Sequence, residues 1–200
     1  MAEMSRSADL GRKTGETDVR LSLLLDDAAP QEVSTGVGFF DHMLELLARH
    51  GRLGLGVSVT GDLATGAHHT VEDTGIVIGQ ALDRALGDRR GIRRYGHAVV
   101  PMDEARAECS IDISGRPYCA VTGLELPPGA IAGFEHEAAE EFFRAVASAA
   151  RLTLHLDLQA GTNGHHMIEA CFKAFARALR AAVSIDPEET GVPSTKGTLT

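Results

Sequence analysis

Two stretches of this 200-residue chain can be laid one over the other. HHTVEDTGIVIGQALDRAL (68–86) over HHMIEACFKAFARALRAAV (165–183) pairs His68 with His165, His69 with His166, Glu72 with Glu169, Ala81 with Ala178 and Leu82 with Leu179, all at an offset of 97. Upstream, RLGLGVSVTG (52–61) lies over RLTLHLDLQA (151–160), with a two-residue difference in the connecting loop. A chain built from two copies of one unit must bury the apolar face of each copy against the other, which restricts the fold more than composition does.

The local patterns fill in that unit. TDVRLSLLLDD (17–27) alternates and then runs apolar as a strand does, and QEVSTGVGF reads as a second strand entering a Gly-rich turn. FFDHMLELLARHG has helical spacing through Phe39, Met43, Leu46 and Leu47 and ends at a C-terminal glycine, Gly51. RLGLGVSVTG is a strand, and HHTVEDTGIVIGQALDRALG is a helix stopped by Gly87. HAVVPMDEARAECSIDISGRPYCAV gives two or three strands with turns at Met102–Glu104 and Ser114–Pro117. The order then repeats: a helix from about Glu135 to Ala150, the strand RLTLHLDLQ, the loop AGTNG and a helix from His165 to about Ser184. The apolar residues Ile76, Ile78, Leu82, Ile168, Phe172, Phe175 and Leu179 are expected to pack as core rather than to form a cofactor box.

The repeat also relates residues outside the aligned stretches. His42 stands ten residues before Arg52, and the same count back from Arg151 reaches Glu141, so each half offers one metal-binding residue type on its first helix and an HHxxE on its second. On a helix, Glu72 and Glu169 share a face with either preceding histidine. Adjacent histidines point about 100° apart, so the two of one pair should serve different ions. Two metal sites follow, with ligands mixed between halves or subunits. Imidazole and carboxylate without thiolate suit manganese, iron, cobalt or zinc, and three or four protein ligands leave positions open for substrate.

Several classes are disfavoured. A formal net charge of −9 argues against general nucleic-acid binding. No apolar run reaches the roughly 18 residues of a membrane span, and MAEMSRSADLGRK has no hydrophobic export core, so a cytoplasmic protein is expected. Cys109, Cys119 and Cys171 are too few and too scattered for a disulfide framework and fit a reducing compartment. HEAAE (136–140) starts like a zinc-protease helix but has Glu140 in place of the second histidine, which leaves His136 and Glu137 as surface residues. His97 and His155 lie in strand-like stretches and read as structural, and His50 ends its helix where a cation complements the dipole.

GFFDHMLELLARHG, HHTVED, DISGRPY, HHMIEACFKAFARALR and PSTKG, in this order and over nearly the whole chain, resemble imidazoleglycerol-phosphate dehydratases of histidine biosynthesis. The resemblance implies an α+β fold of duplicated halves, of the ribosomal S5 domain 2-like kind, with helices packed between two four-stranded sheets. It divides the chain into a first half (1–95), a second half (96–190) and a phosphate-binding tail (191–200) that together make one catalytic unit. It also implies a homo-oligomer of 24 chains organised by Mn2+, two ions per active site, with sites shared between subunits. Carried over residue by residue, one ion takes His42, His69, His165 and Glu169, and the other His68, Glu72, His166 and Glu141. Many family members have histidine at the last position; a carboxylate remains a competent ligand there for a hard ion.

The reaction so implied is loss of water from imidazole glycerol phosphate to give imidazole acetol phosphate, a metal-dependent hydro-lyase step. Metal on the ring nitrogens favours the imidazolate and fixes its orientation, the C3 hydroxyl leaves through a diazafulvene-like intermediate, the C2 proton is lost and the enol becomes a ketone. Glu16 matches a glutamate that enters a neighbouring subunit's site; Glu169, His50 and Lys173 are the other acid–base candidates. Arg94, Arg116, Ser194 and Lys196 match the family's phosphate pocket, the tail ordering around the phosphate. Two other readings stay open: a metal-assembled storage or structural particle without turnover, and a different lyase or isomerase on the same scaffold.

Overall fold

The computed structural model describes residues 6–29 and 32–199. Met1–Ser5, Thr200 and Gln31, which opens the stretch expected as the second strand, lie outside the described residues. The elements run β1 (Ser7–Lys13), β2 (Thr17–Leu24), β3 (Val33–Ser34), α1 (Gly38–Gly51), β4 (Gly54–Gly61), α2 (His68–Leu86), β5 (Tyr95–Met102), β6 (Ala105–Asp112) and β7 (Tyr118–Thr122). They continue through β8 (Ala130–Ile131), β9 (Phe134–Glu135), α3 (Ala138–Ala149), β10 (Thr153–Ala160) and α4 (Gly164–Val183).

Two four-stranded sheets form, ordered β1-β2-β4-β3 and β5-β6-β10-β7. In both, the first three strands are antiparallel and the last is parallel to its neighbour, so the strand order repeats with the sequence. Inward residues meet in register: Val19, Leu21 and Leu23 face Val59, Val57 and Leu55 in one sheet, and Ala107, Cys109 and Ile111 face Leu158, Leu156 and Leu154 in the other. All twelve are buried, as the period-2 pattern of a one-sided sheet requires.

The helices fill the space between the sheets and cross-link the halves. α2 lies on the first sheet and α4 on the second, while α1 pairs with α4 and α3 with α2. The α2–α3 approach is close enough to need glycine: a Cβ at Gly79 would stand 2.6 Å from the Ala149 Cβ and 2.7 Å from the Val146 carbonyl oxygen. Around α3 and α4, Phe142, Phe143, Phe172 and Phe175 are fully buried, with ring centroids 4.9–5.5 Å apart.

Some local details differ from the sequence reading. The left-handed residue ending α1 is Arg52 (φ 53°), not Gly51, and its counterpart Arg151 (φ 55°) ends α3 the same way. In both, the next residue's N–H reaches back five positions, Leu53 to Ala48 and Leu152 to Ala147. α3 begins at Ala138 rather than Glu135, because Phe134–Glu135 pairs with Ala130–Ile131 in a small hairpin peculiar to the second half. β1 was not foreseen, and β3 is two residues long. Ile76, expected in the core, is only half-buried and lines a cleft.

Candidate metal centre and active site

The HHxxE helices start at different anchors. α4 is capped by Asn163, whose side-chain oxygen accepts the His165 and His166 N–H groups at 2.9 and 3.4 Å. α2 has no side-chain cap of its own; Glu135 reaches from the hairpin and accepts the Ala67 N–H with both oxygens, at 3.1 and 3.2 Å. An acceptor therefore satisfies orphan donors at each helix start, although the two halves place it differently.

Among the described residues, one group of three ligand-type side chains brings its donor atoms within 4.8 Å of one another: His42, His165 and Glu169. Glu169 Oε2 lies 3.0 Å from His165 Nε2 and 3.7 Å from His42 Nε2, while its Oε1 lies 2.6 Å from Lys173 Nζ. Burial of the carboxyl opposes ionisation, but the Lys173 hydrogen bond and charge, with His165 and His42, outweigh it and hold Glu169 below its ordinary range. Lys173 also reaches the Met102 sulfur at 3.4 Å. α1 supplies His42 and α4 the rest, so the α1–α4 packing builds the cluster.

The repeat-related residues lie where α2 meets α3, without closing into a second such group among the described residues. His68 Nε2 is 3.7 Å from Glu72 Oε2, and Glu72 and Glu141 line one cleft of about 430 Å³ with Ile76 and Arg144. Under the repeat, His42 corresponds to Glu141, His165 to His68 and Glu169 to Glu72, so both sets draw one residue from the first helix of one half and two from the second helix of the other.

The remaining histidines of the two pairs turn elsewhere. The rings of His68 and His69 are 79° apart and those of His165 and His166 81° apart. His69 Nδ1 lies 2.9 Å from Asp62 Oδ2, and its Nε2 is 3.7 Å from Glu16 Oε1. His166 Nδ1 lies 2.7 Å from Glu104 Oε2, and its Nε2 is 3.8 Å from Asp103 Oδ2. The hydrogen bond to Asp62 raises the His69 pKa, and that to Glu104 raises the His166 pKa. The His166 contact, helped by the Asn163 and Thr162 N–H groups, holds Glu104 down at about 2. Neither expected four-ligand set is thus assembled within one chain: each has its three residues at a helix–helix junction, while its second-position histidine faces another way.

Asp62, Asp103 and Glu104 escaped the sequence reading. Extending the repeat into the hairpins would have found Glu104, since it precedes β6 as Glu16 precedes β2.

The acid–base candidates divide. Glu16 is 55% exposed on the β1–β2 turn. His50, at the end of α1, has a lowered pKa from burial first and then from the positive charges of Lys173, Arg177 and Arg49. His136 takes no part in the clusters, its Nδ1 lying 2.9 Å from the Pro127 carbonyl oxygen, and His97 pairs with Glu108 at 3.0 Å. His155 is exposed on β10 beside Tyr118.

Two of the phosphate candidates, Arg94 and Arg116, meet at Asp112. Arg94 donates to it through Nε at 2.7 Å and Nη2 at 3.1 Å, and through Nη1 to the Pro193 carbonyl oxygen at 2.9 Å. Arg116, 67% exposed, lies 3.9 Å from the same carboxylate. Ser194 Oγ accepts the Lys196 N–H at 3.2 Å, and Lys196 is exposed. The tail is docked rather than loose: the Leu199 side chain is buried and its carbonyl oxygen accepts from Arg89. This end is far from His165 and His166. The Arg94 N–H bonds the Ala182 carbonyl oxygen near the end of α4, and at 1.5 Å per residue the stretch from His166 to Ala182 is about 24 Å long. β6 gives a second ruler, with Glu104 just before its start and Asp112 at its end.

A family model for imidazoleglycerol-phosphate dehydratase matches residues 35–179. The imidazoleglycerol-phosphate dehydratase of Moorella thermoacetica is 55% identical over 196 residues, 98% of this chain and 100% of that protein. That of Symbiobacterium thermophilum is 56% identical over 194 residues, 97% and 93% of the two chains. Among solved structures, the dehydratase from Staphylococcus aureus subsp. aureus N315 superposes with a TM-score of 0.82 at 43% identity, covering 90% of this chain and 99% of that one. The Pyrococcus furiosus enzyme in complex with (S)-C348 superposes with a TM-score of 0.81 at 35% identity, covering 95% and 100%. With both HHxxE helices and their junction residues inside a match of this extent, the chain belongs to the imidazoleglycerol-phosphate dehydratase family.

Proposed function

We propose that this chain is a metal-dependent hydro-lyase that converts imidazole glycerol phosphate to imidazole acetol phosphate in histidine biosynthesis. The observation that carries the reading is the grouping of His42, His165 and Glu169 at the α1–α4 junction, with His68, Glu72 and Glu141 at the equivalent junction, in a chain of this family. Two or three imidazole and carboxylate donors, borne on packed helices and with Glu169 buried, suit a borderline-to-hard divalent ion and leave coordination positions free. Mn2+ is the ion proposed, with other divalent ions as substitutes. His42, His165 and Glu169 of one chain, with His69 of another, would hold one ion; His68, Glu72 and Glu141, with His166 of another, would hold the second. Divalent ions held there would supply Lewis-acid charge that favours the deprotonated form of an imidazole-bearing substrate.

The chain's own groups supply the rest. Lys173 keeps Glu169 ionised and oriented. Glu16, exposed on a tight turn, would move a proton in a neighbouring site, and His50, whose pKa is lowered by burial and nearby cations, would act as a proton acceptor. Arg116 and Lys196 have exposed cationic ends for phosphate, Arg94 is held in orientation by Asp112, and Ser194 lies beside it in the tail. The length of α4 separates Arg94 and Arg116 from His165 and His166 of the same chain by more than such a small substrate can span. That separation supports sites shared between subunits of a homo-oligomer, for which the family resemblance gives 24 chains. On this reading residues 1–95, 96–190 and 191–200 act as one catalytic unit in the cytoplasm, and no helix among the described residues is long and apolar enough to cross a membrane.

Turnover of imidazole glycerol phosphate, followed together with sedimentation before and after chelation and after return of Mn2+, tests the proposal. The expected result is coupled loss and recovery of activity and assembly. Activity that survives complete metal removal overturns it, and metal-dependent assembly without turnover supports a storage particle instead.

A further inference from the structure

The two histidines of each pair are held by different means. The first leans on the glutamate of its own helix, His68 on Glu72 and His165 on Glu169. The second is held through Nδ1 by a carboxylate from outside the helix: both oxygens of Asp62 lie within 3.2 Å of His69 Nδ1, and Glu104 Oε2 is 2.7 Å from His166 Nδ1.

Both carboxylates are fixed in turn. Asp62 Oδ2 accepts the Thr65 hydroxyl at 3.0 Å, and the Thr65 N–H closes the turn onto the Asp62 carbonyl oxygen at 2.9 Å. Glu104 Oε1 accepts the N–H groups of Asn163 at 2.8 Å and Thr162 at 3.2 Å. Because Asn163 is the cap that orders the first turn of α4, Glu104 ties ring, cap and loop together. An imidazole whose Nδ1–H is donated to an anchored carboxylate is set in one tautomer and one orientation, with the Nε2 lone pair presented outward, as a metal ligand requires.

The two carboxylates are not copies of one another. Asp62 lies in the β4–α2 connection, whereas Glu104 lies in the β5–β6 turn, where the first half carries Glu16. With Asp62 already on the His69 Nδ1, Glu16 stands on the opposite side of that ring, 3.7 Å from Nε2, and its side chain is 55% exposed. The two halves thus hold the second-position ring through Nδ1 with different residues, and in the first half the hairpin glutamate stands at Nε2 instead.

We propose that Asp62 and Glu104 are positioning residues that hold His69 and His166 with Nε2 directed away from the chain's own ligand clusters, as donors to ions bound chiefly by another copy of the chain. The inference rests on the two-ion reading above. It assigns each carboxylate to one ion, Asp62 to the site completed by His69 and Glu104 to the site completed by His166.

The test is Mn2+ titration of metal-free wild-type protein and of the Asp62→Asn and Glu104→Gln variants, with free ion followed by electron paramagnetic resonance. The wild type should take up two ions per chain. Each variant should keep one site and weaken the other by about 10–100-fold, the range typical when such a supporting partner is removed, and Glu104→Asp should recover part of the loss. Wild-type affinity at both sites in both variants overturns the inference. A wild type that takes up fewer than two ions overturns the two-ion reading itself, so the two failures are distinguishable. Nitrogen-15 spectra of histidine-labelled, metal-free wild type at pH 9 read the dyads directly, without depending on how the variants fold. Nδ1–H tautomers at His69 and His166 are expected, and Nε2–H tautomers would overturn the proposal.

Discussion

At the scale of single residues, burial and neighbouring charge decide which groups are chemically available. His50 takes up its proton below the ordinary imidazole value of 6.5, because it is partly buried among Lys173, Arg177 and Arg49. The unfolded chain protonates there at 6.5, so acidification from 6.5 toward the folded value favours unfolding, and raising the pH through that window restores stability. A histidine NMR titration should place His50 below 6.5; a midpoint at or above it would contradict the electrostatic environment. The cysteines differ in kind: burial pushes Cys171 up to about 12, Cys119 up to about 11 and Cys109 well above its ordinary value. Native protein at pH 8 should therefore show no fast-reacting thiol toward a disulfide reagent, and all three after denaturation; one thiol reacting at the rate of free cysteine would contradict this. The ligand-type residues His42, His68, His69, Glu72, Glu141, His165, His166 and Glu169 were legible because the repeat marked each of them twice. Asp62 was not, because it has no counterpart in the second half, and a lone aspartate in GDLATG resembles any loop acid.

At the scale of elements, the four helices and the strands with strong alternation were readable from periodicity, because each buries one face. β1 was not: in SADLGRK only Ala8 is fully buried and Leu10 partly so, since an edge strand has little apolar face to show. The β8–β9 hairpin was hidden for another reason. Its anchor is the single residue Phe134, whose ring packs 5.4 Å from Phe39 and 5.7 Å from Phe40, and one aromatic has no period. Close packing of α2 on α3 gives a direct test. Gly79→Ala places a Cβ against Ala149 and the α3 backbone, and should destabilise the chain by about 1–3 kcal/mol as overpacking does, measured by chemical denaturation. A loss under about 0.5 kcal/mol would show that the helices separate easily. Because α3 carries Glu141 and α2 carries His68 and Glu72, the same substitution should weaken the ion held there more than the one at His42.

At the scale of the whole molecule, one chain holds His42, His165 and Glu169 near the start of α4 and Arg94, proposed for phosphate, near its end, while His69 and His166 pair through Nδ1 with Asp62 and Glu104. On the proposed function, such a chain would need a second copy to complete its site. Mixing His165→Ala chains with Arg116→Ala chains, dissociating them with chelator and reassembling them with Mn2+ should recover a fraction of the turnover that neither variant shows alone. No recovery would mean that both groups act from one chain. The duplication made this arrangement partly legible, since it predicted ligands mixed between halves or subunits; the separation along α4 needed the folded chain. The most direct test is anomalous diffraction at the manganese edge from crystals of the active, Mn2+-loaded protein. The account predicts two ions per chain, one bound by His42, His165 and Glu169 of one copy with His69 of another, and one by His68, Glu72 and Glu141 with His166 of another. A single ion, no ion, or two ions each ligated within one chain would contradict it.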